Sequence, residues 1–99
     1  MVRHIVSWNF KPELSEEQRR EIGAKAVAAI DGLKGQIPCL IDIKAHCPPL
    51  EGSTAQLVLY SEVERVEDLP QYQNHPAHQA ILPLIRDHFC DRHCCDIED

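Results

Sequence analysis

The chain has no run of basic residues and no basic stripe. Its sixteen acidic side chains outnumber ten basic ones, for a formal charge of −6. That balance excludes nucleic acid and anionic membrane surfaces as partners. No apolar run approaches transmembrane length, and Met1-Val2-Arg3-His4 leads straight into a strand pattern rather than a secretory signal. We therefore expect a cytoplasmic protein. No repeat, low-complexity segment or linker divides the 99 residues, so one domain over 1–99 is expected. A chain this short buries a modest share of its surface, and pairing with a second copy would add to it.

A disulfide framework is also missing. The five cysteines, at 39, 47, 90, 94 and 95, are odd in number and lack a secretory context. Cys90, His93, Cys94 and Cys95 invite a zinc reading, but the spacing does not suit one. Structural zinc sites pair ligands two to four residues apart on turns and need a second pair. Adjacent Cys94 and Cys95 in a strand point to opposite faces. We expect reduced, packed thiols and no metal.

What is present is a strong alternation of apolar residues. His4, Val6, Trp8 and Phe10 form one face of a first strand, with Ile5, Ser7 and Asn9 on the other. Lys11-Pro12-Glu13 ends it. Ser15 and Gln18 form a capping box at the start of a helix, and Glu16 and Glu17 suit its dipole. Ile22, Ala26, Ala29, Ile30 and Leu33 recur at helical spacing, and Gly32, Gly35 and Pro38 stop the helix. Ile41, Ile43 and Ala45 mark a second strand, and Gln56–Val63 a third. Val66–Gln73 reads as a helix that Pro70 should shorten, delay or distort. A further helix starts at Pro76, with an interruption expected at Pro83, and Arg92–Ile97 closes the chain as a strand.

Strand, helix, strand, strand, helix pair, strand is a ferredoxin-like α+β order. It gives a four-stranded antiparallel sheet with helices on one face. The open face would carry Ile5, Val58, Tyr60, Cys95 and Ile97, an apolar row rarely left in water. A homodimer through that open face is expected.

The stretch most suited to chemistry is Gln71-Tyr72-Gln73-Asn74-His75-Pro76-Ala77-His78-Gln79. Pro76 suits the first turn of a helix, with Asn74 or His75 at the cap. His78 then has a fixed backbone, and its imidazole titrates near neutrality. A tyrosine hydroxyl nearby could hold a substrate oxygen. His4, at the head of an apolar face, would be costly to bury without a partner. The plain alternative is that His75 and His78 cap and pack.

Tyr72-Gln73-Asn74-His75-Pro76-Ala77-His78 resembles the signature of the Dabb family, the stress-responsive dimeric α+β barrel. Val2–Lys11 is similar to that family's opening strand, Leu57–Glu62 to its third, and Arg92–Glu98 to its last. The resemblance implies two sheets packed face to face in a dimeric barrel. It also implies a pocket for a small apolar or aromatic ligand between sheet and helices. In members that are plant polyketide cyclases a tyrosine and a histidine of the motif carry the chemistry, which maps onto Tyr72 and His78, with His4 as the first-strand histidine. The reaction implied is cofactor-free acid–base catalysis of the cyclase or lyase kind. Val6, Trp8, Leu59 and Cys94 from the strands, Ile22 and Ala26 from the first helix, and His75 would line the substrate pocket. The first helix lacks the aromatic lining of those cyclases, so a different substrate is implied. Many members have no assigned reaction, so a non-catalytic, stress-associated binding protein is the alternative reading; a His/Cys metal-binding protein is a third.

Overall fold

A computed structural model describes residues 1–99. The order is β1 (Val2–Phe10), α1 (Glu16–Asp31), β2 (Leu40–His46), β3 (Leu57–Val63), α2 (Asp68–Asn74), α3 (Pro76–His88) and β4 (Phe89–Glu98). The sheet runs β2-β3-β1-β4, and every neighbouring pair is antiparallel. This is the expected ferredoxin-like α+β layout. No helix is long and apolar enough to cross a membrane.

β1 alternates without a break: Val2, His4, Val6, Trp8 and Phe10 are buried, and the residues between them are half-buried. Its buried face meets α1, whose start is the expected capping box. The Ser15 hydroxyl accepts from the Gln18 N–H at 3.1 Å, and the Gln18 side chain accepts from the Ser15 N–H at 2.8 Å. Gly23, Ala26 and Ile30 are the buried stripe of α1. Glycine costs a helix interior about 1 kcal/mol relative to alanine, yet here it is required. A Cβ at position 23 would stand 2.8 Å from the Cys47 sulfur and 3.4 Å from the Phe10 ring. The small stripe lets α1 lie flush on the sheet.

Three local expectations change, and the late start expected of the helix holding Pro70 is met. Ile41 does not share a face with Ile43 and Ala45. The pairing with β3 slips between Leu40 and Asp42, and this bulge buries Leu40 and leaves Ile41 45 % exposed. α2 begins at Asp68, so Pro70 lies in its first turn, where no intrahelical N–H is needed. The Asp68 carboxylate reaches back to the Arg65 N–H at 3.1 Å, since Glu67 makes no side-chain cap. α3 runs through Pro83 without interruption. Pro83 and Gln79 are both exposed, so the Gln79 carbonyl freed by the proline faces water. Finally, β4 starts at Phe89, three residues before Arg92, because Phe89 pairs with Phe10 and their rings stack at 4.8 Å.

A candidate acid–base site between β1, β4 and the α2–α3 pair

The α2–α3 junction is built from its sequence. Pro76 opens α3, and His75 is the N-cap, its Nδ1 accepting from the Ala77 N–H at 3.0 Å. His75 is therefore engaged with the backbone. Tyr72, in the last turn of α2, is fully buried. Its ring meets two imidazoles edge-on: His78 at 4.8 Å between centroids and His4 at 5.7 Å. The three side chains named from the sequence thus form one row, His4–Tyr72–His78.

The far end of the row carries a group that the sequence reading missed. Asp96 pairs with His4 across β1 and β4, and its Oδ1 is 2.5 Å from the His4 Nδ1. His4 is 3 % exposed, so this carboxylate supplies the partner that a buried imidazole needs. The signal was available: Asp96 is two residues after Cys94 and hence on the same side of the strand. Ser61, also buried, donates its hydroxyl to the His4 carbonyl oxygen at 3.1 Å.

Two polar atoms in the row are buried with no hydrogen-bond partner: the Tyr72 hydroxyl and the His78 Nδ1. Such orphans are rare and call for an explanation. Burial pushes the Tyr72 phenol up to about 12, so it is a neutral donor at physiological pH. Burial lowers the His78 imidazole below its ordinary range; the Gln73 backbone opposes this, and nearby Arg92 adds to it. At neutral pH His78 is an uncharged base with a free nitrogen.

A cavity of about 700 Å³ reaches this row. His4, His78, Trp8 and Cys94 stand on its wall, with Ile85 and Phe89 as apolar neighbours and Arg86 and Arg92 among the polar ones. Tyr72 lies behind the two imidazoles rather than on the wall. Val6, Leu59 and Ala26 do not reach the cavity; they are core residues, and Ile22 packs against that core. The physical reason is the small stripe of α1, which closes onto the sheet and leaves no space beneath. The cavity opens instead beside α3, along β1 and β4.

The direction of the His78 shift has a consequence for stability. An unfolded chain has its imidazole at the usual value of about 6.5, above that of the folded state. Below that pH the unfolded chain binds the proton first. The contribution is therefore complete above about 6.5 and is lost as pH falls through the lower folded value. Urea unfolding of wild type and His78→Asn at pH 7.5 and 5 should show the wild type losing more stability. Parallel losses would contradict the buried, neutral imidazole.

The family model described as the stress responsive A/B barrel domain matches residues 2–99. No curated protein matches the sequence. Among solved structures, a dimeric ferredoxin-like protein of unknown function from Bacteroides fragilis is 26 % identical, with a TM-score of 0.90 over 99 % of this chain and 95 % of that one. A dimeric ferredoxin-like protein of unknown function from Thermobifida fusca is 20 % identical, with a TM-score of 0.77 over 99 % and 90 %. A hydroxynitrile lyase from Passiflora edulis is 18 % identical, with a TM-score of 0.72 over 97 % and 90 %. The two proteins of unknown function are thus described as dimeric.

Proposed function

Because the chain belongs to the stress-responsive A/B barrel (Dabb) family, we propose that it is a homodimeric binding protein for a small, partly apolar organic molecule, on which His78 performs acid–base chemistry. The observation that carries this reading is the pair of orphan polar atoms in the His4–Tyr72–His78 row beside the cavity. His78, neutral at pH 7, accepts a proton from the carbon next to a ligand carbonyl. Tyr72 holds the His78 ring edge-on and keeps a protonated hydroxyl at its back. Asp96 fixes the His4 ring from the opposite side. Trp8, Ile85 and Phe89 offer the apolar surface for the ligand body. The reading needs no metal or organic cofactor.

A non-catalytic binder is favoured by one feature, the absence of Tyr72 from the cavity wall. The two are separated by a partial reaction. Exchange of the methyl protons of an aryl methyl ketone in D₂O needs a base and a bound carbonyl, and nothing else. Acceleration of that exchange by the wild-type protein supports chemistry. Ligand-induced shifts of the His78 NMR signals with no acceleration would leave the binder.

The dimer would form on the sheet face away from the helices. Ile5, Val58 and Tyr60 are half-buried there, and Cys95 and Ile97 are exposed. One end of this face is polar: the Tyr60 hydroxyl donates to Glu62 at 2.6 Å and meets Arg3, which also bonds Asp99 at 2.6 Å. That cluster would fix the register of two apolar sheets. Val58→Glu would bury an unpaired charge in the centre, at a cost of about 3–5 kcal/mol by analogy with broken buried pairs. Light scattering should then report one chain, or loss of folded protein, where the wild type gives two. A wild-type mass of one chain at micromolar concentration would sink the dimer.

A further inference from the structure

Along the chain, the spacing of Cys90, His93, Cys94 and Cys95 does not suit a metal. Strand pairing assembles a different set. His4 on β1 lies opposite Asp96 on β4, and Cys94 is two residues back on the same face. Their donor atoms, His4 Nδ1, Cys94 Sγ and Asp96 Oδ1, all lie within 4.8 Å of one another. We propose that these three side chains form a binding site for a divalent transition-metal ion of the zinc class, with its open side toward the cavity.

The donor set is the first argument. Imidazole, thiolate and carboxylate are the three ligand types that zinc takes, and soft sulfur disfavours magnesium and calcium. Spacing is the second. Bond lengths of 2.0–2.3 Å around a tetrahedral ion put donors about 3.3–3.6 Å apart. Cys94 Sγ stands 3.7 Å from His4 Nδ1 and 3.8 Å from Asp96 Oδ1. The remaining pair, at 2.5 Å, must open by about 0.8 Å to reach that spacing. Asp96 is exposed and on an edge strand, so its side chain can make that movement. The third argument is that one ligand is already fixed. His4 is 3 % exposed, with its Nδ1 turned to the carboxylate. The ion takes the place of the proton between nitrogen and oxygen, the ring then carrying its proton on Nε2, and the Cys94 thiol gives its proton to solvent as it becomes a ligand.

Three protein ligands leave a fourth position for water or a ligand donor, the arrangement of open zinc sites. His4 and Cys94 both stand on the cavity wall, so that position faces the cavity. Arg92 is on the same face of β4 and opposes a cation, but it is exposed and its charge is screened by solvent. Loaded and metal-free protein would thus present the same cavity with different chemistry. The site does not depend on His78 acting as a base.

The test uses Co²⁺ alone as probe, with the reduced full-length protein. One equivalent should bring up a sulfur-to-cobalt charge-transfer band in the near ultraviolet and visible bands of tetrahedral strength. Stoichiometric Zn²⁺ should displace both. Loss of an outer-shell partner costs about 10–100-fold in metal affinity, so losing a ligand should cost at least about 100-fold. Cys94→Ser should remove the charge-transfer band, and Asp96→Asn should weaken binding by that factor. Both positions are exposed, and asparagine at 96 keeps a side-chain oxygen that can accept from the buried His4 ring. Cys95→Ser and His93→Ala, on the opposite face of β4, should leave the spectrum unchanged. No charge-transfer band at one equivalent would overturn the proposal. So would a band lost with Cys95→Ser or His93→Ala and kept in Cys94→Ser.

Discussion

Replacing Tyr72 with Phe is expected to raise the stability of the folded protein, by about 1–3 kcal/mol. That is the usual penalty of a buried polar group with no partner, and the substitution removes it. The Tyr72 hydroxyl is such a group. Ser61, the buried hydroxyl on the neighbouring strand, donates to the His4 carbonyl oxygen, and its pull on the phenol only partly offsets the upward push of burial. The phenylalanine ring keeps the edge-on contacts with His4 and His78, since those belong to the ring. Tyr72→Ala is the opposite experiment. It empties a fully buried aromatic position between two imidazoles, and such losses run to about 3–5 kcal/mol. Urea unfolding at one fixed protein concentration measures both, because a dimer's stability depends on concentration. Gain in Phe together with loss in Ala would mean that natural stability is forgone to keep an oxygen at this position. A cost of more than about 1 kcal/mol for Phe would instead mean that the hydroxyl has a partner in the free protein.

This trade explains which parts of the site the sequence could reveal. The signature around Tyr72 and His78 is local, and its helix start depends on Pro76 and His75 alone, so the two residues were legible together. His4 was legible because an imidazole at the head of an apolar strand face is out of place. Asp96 was not read, although alternation from Cys94 placed it correctly. Recognising it required the β1–β4 register, which sets His4 opposite Asp96 and which no local pattern encodes. The cavity wall was misplaced for a related reason. The resemblance places Ile22 and Ala26 on the pocket side of α1, and that face of α1 does turn inward. Whether a small stripe leaves a space or closes it depends on how near the helix approaches, and Gly23 against Cys47 shows a close approach. The fold itself was nearly complete in the sequence, since each strand alternates and each long helix carries its own cap. Of the departures, those at Ile41 and Phe89 are matters of pairing between strands, and the third is the uninterrupted passage of α3 through Pro83.

His78→Ala is expected to abolish the catalysed exchange of ketone protons while leaving the dimer intact. A positioned general base contributes about 10²–10⁴-fold, so the residual rate should fall to near that of buffer. The fold should survive, because His78 is only half-buried. Burial lowers the imidazole below its ordinary range. The wild-type rate should therefore rise with pH below about 6.5, as the ring loses its proton, and level off above. A loss caused by mere rearrangement of the cavity would change the rate without removing that rise. Free imidazole added to the Ala variant gives a second readout. It fits the space vacated beside the cavity and should restore part of the exchange, in proportion to its neutral fraction. Ligand affinity should change far less than rate, since Trp8, Ile85 and Phe89 still hold the apolar body. Equal exchange rates for His78→Ala and wild type on a ketone that both bind would remove the base from this site and leave a binding protein.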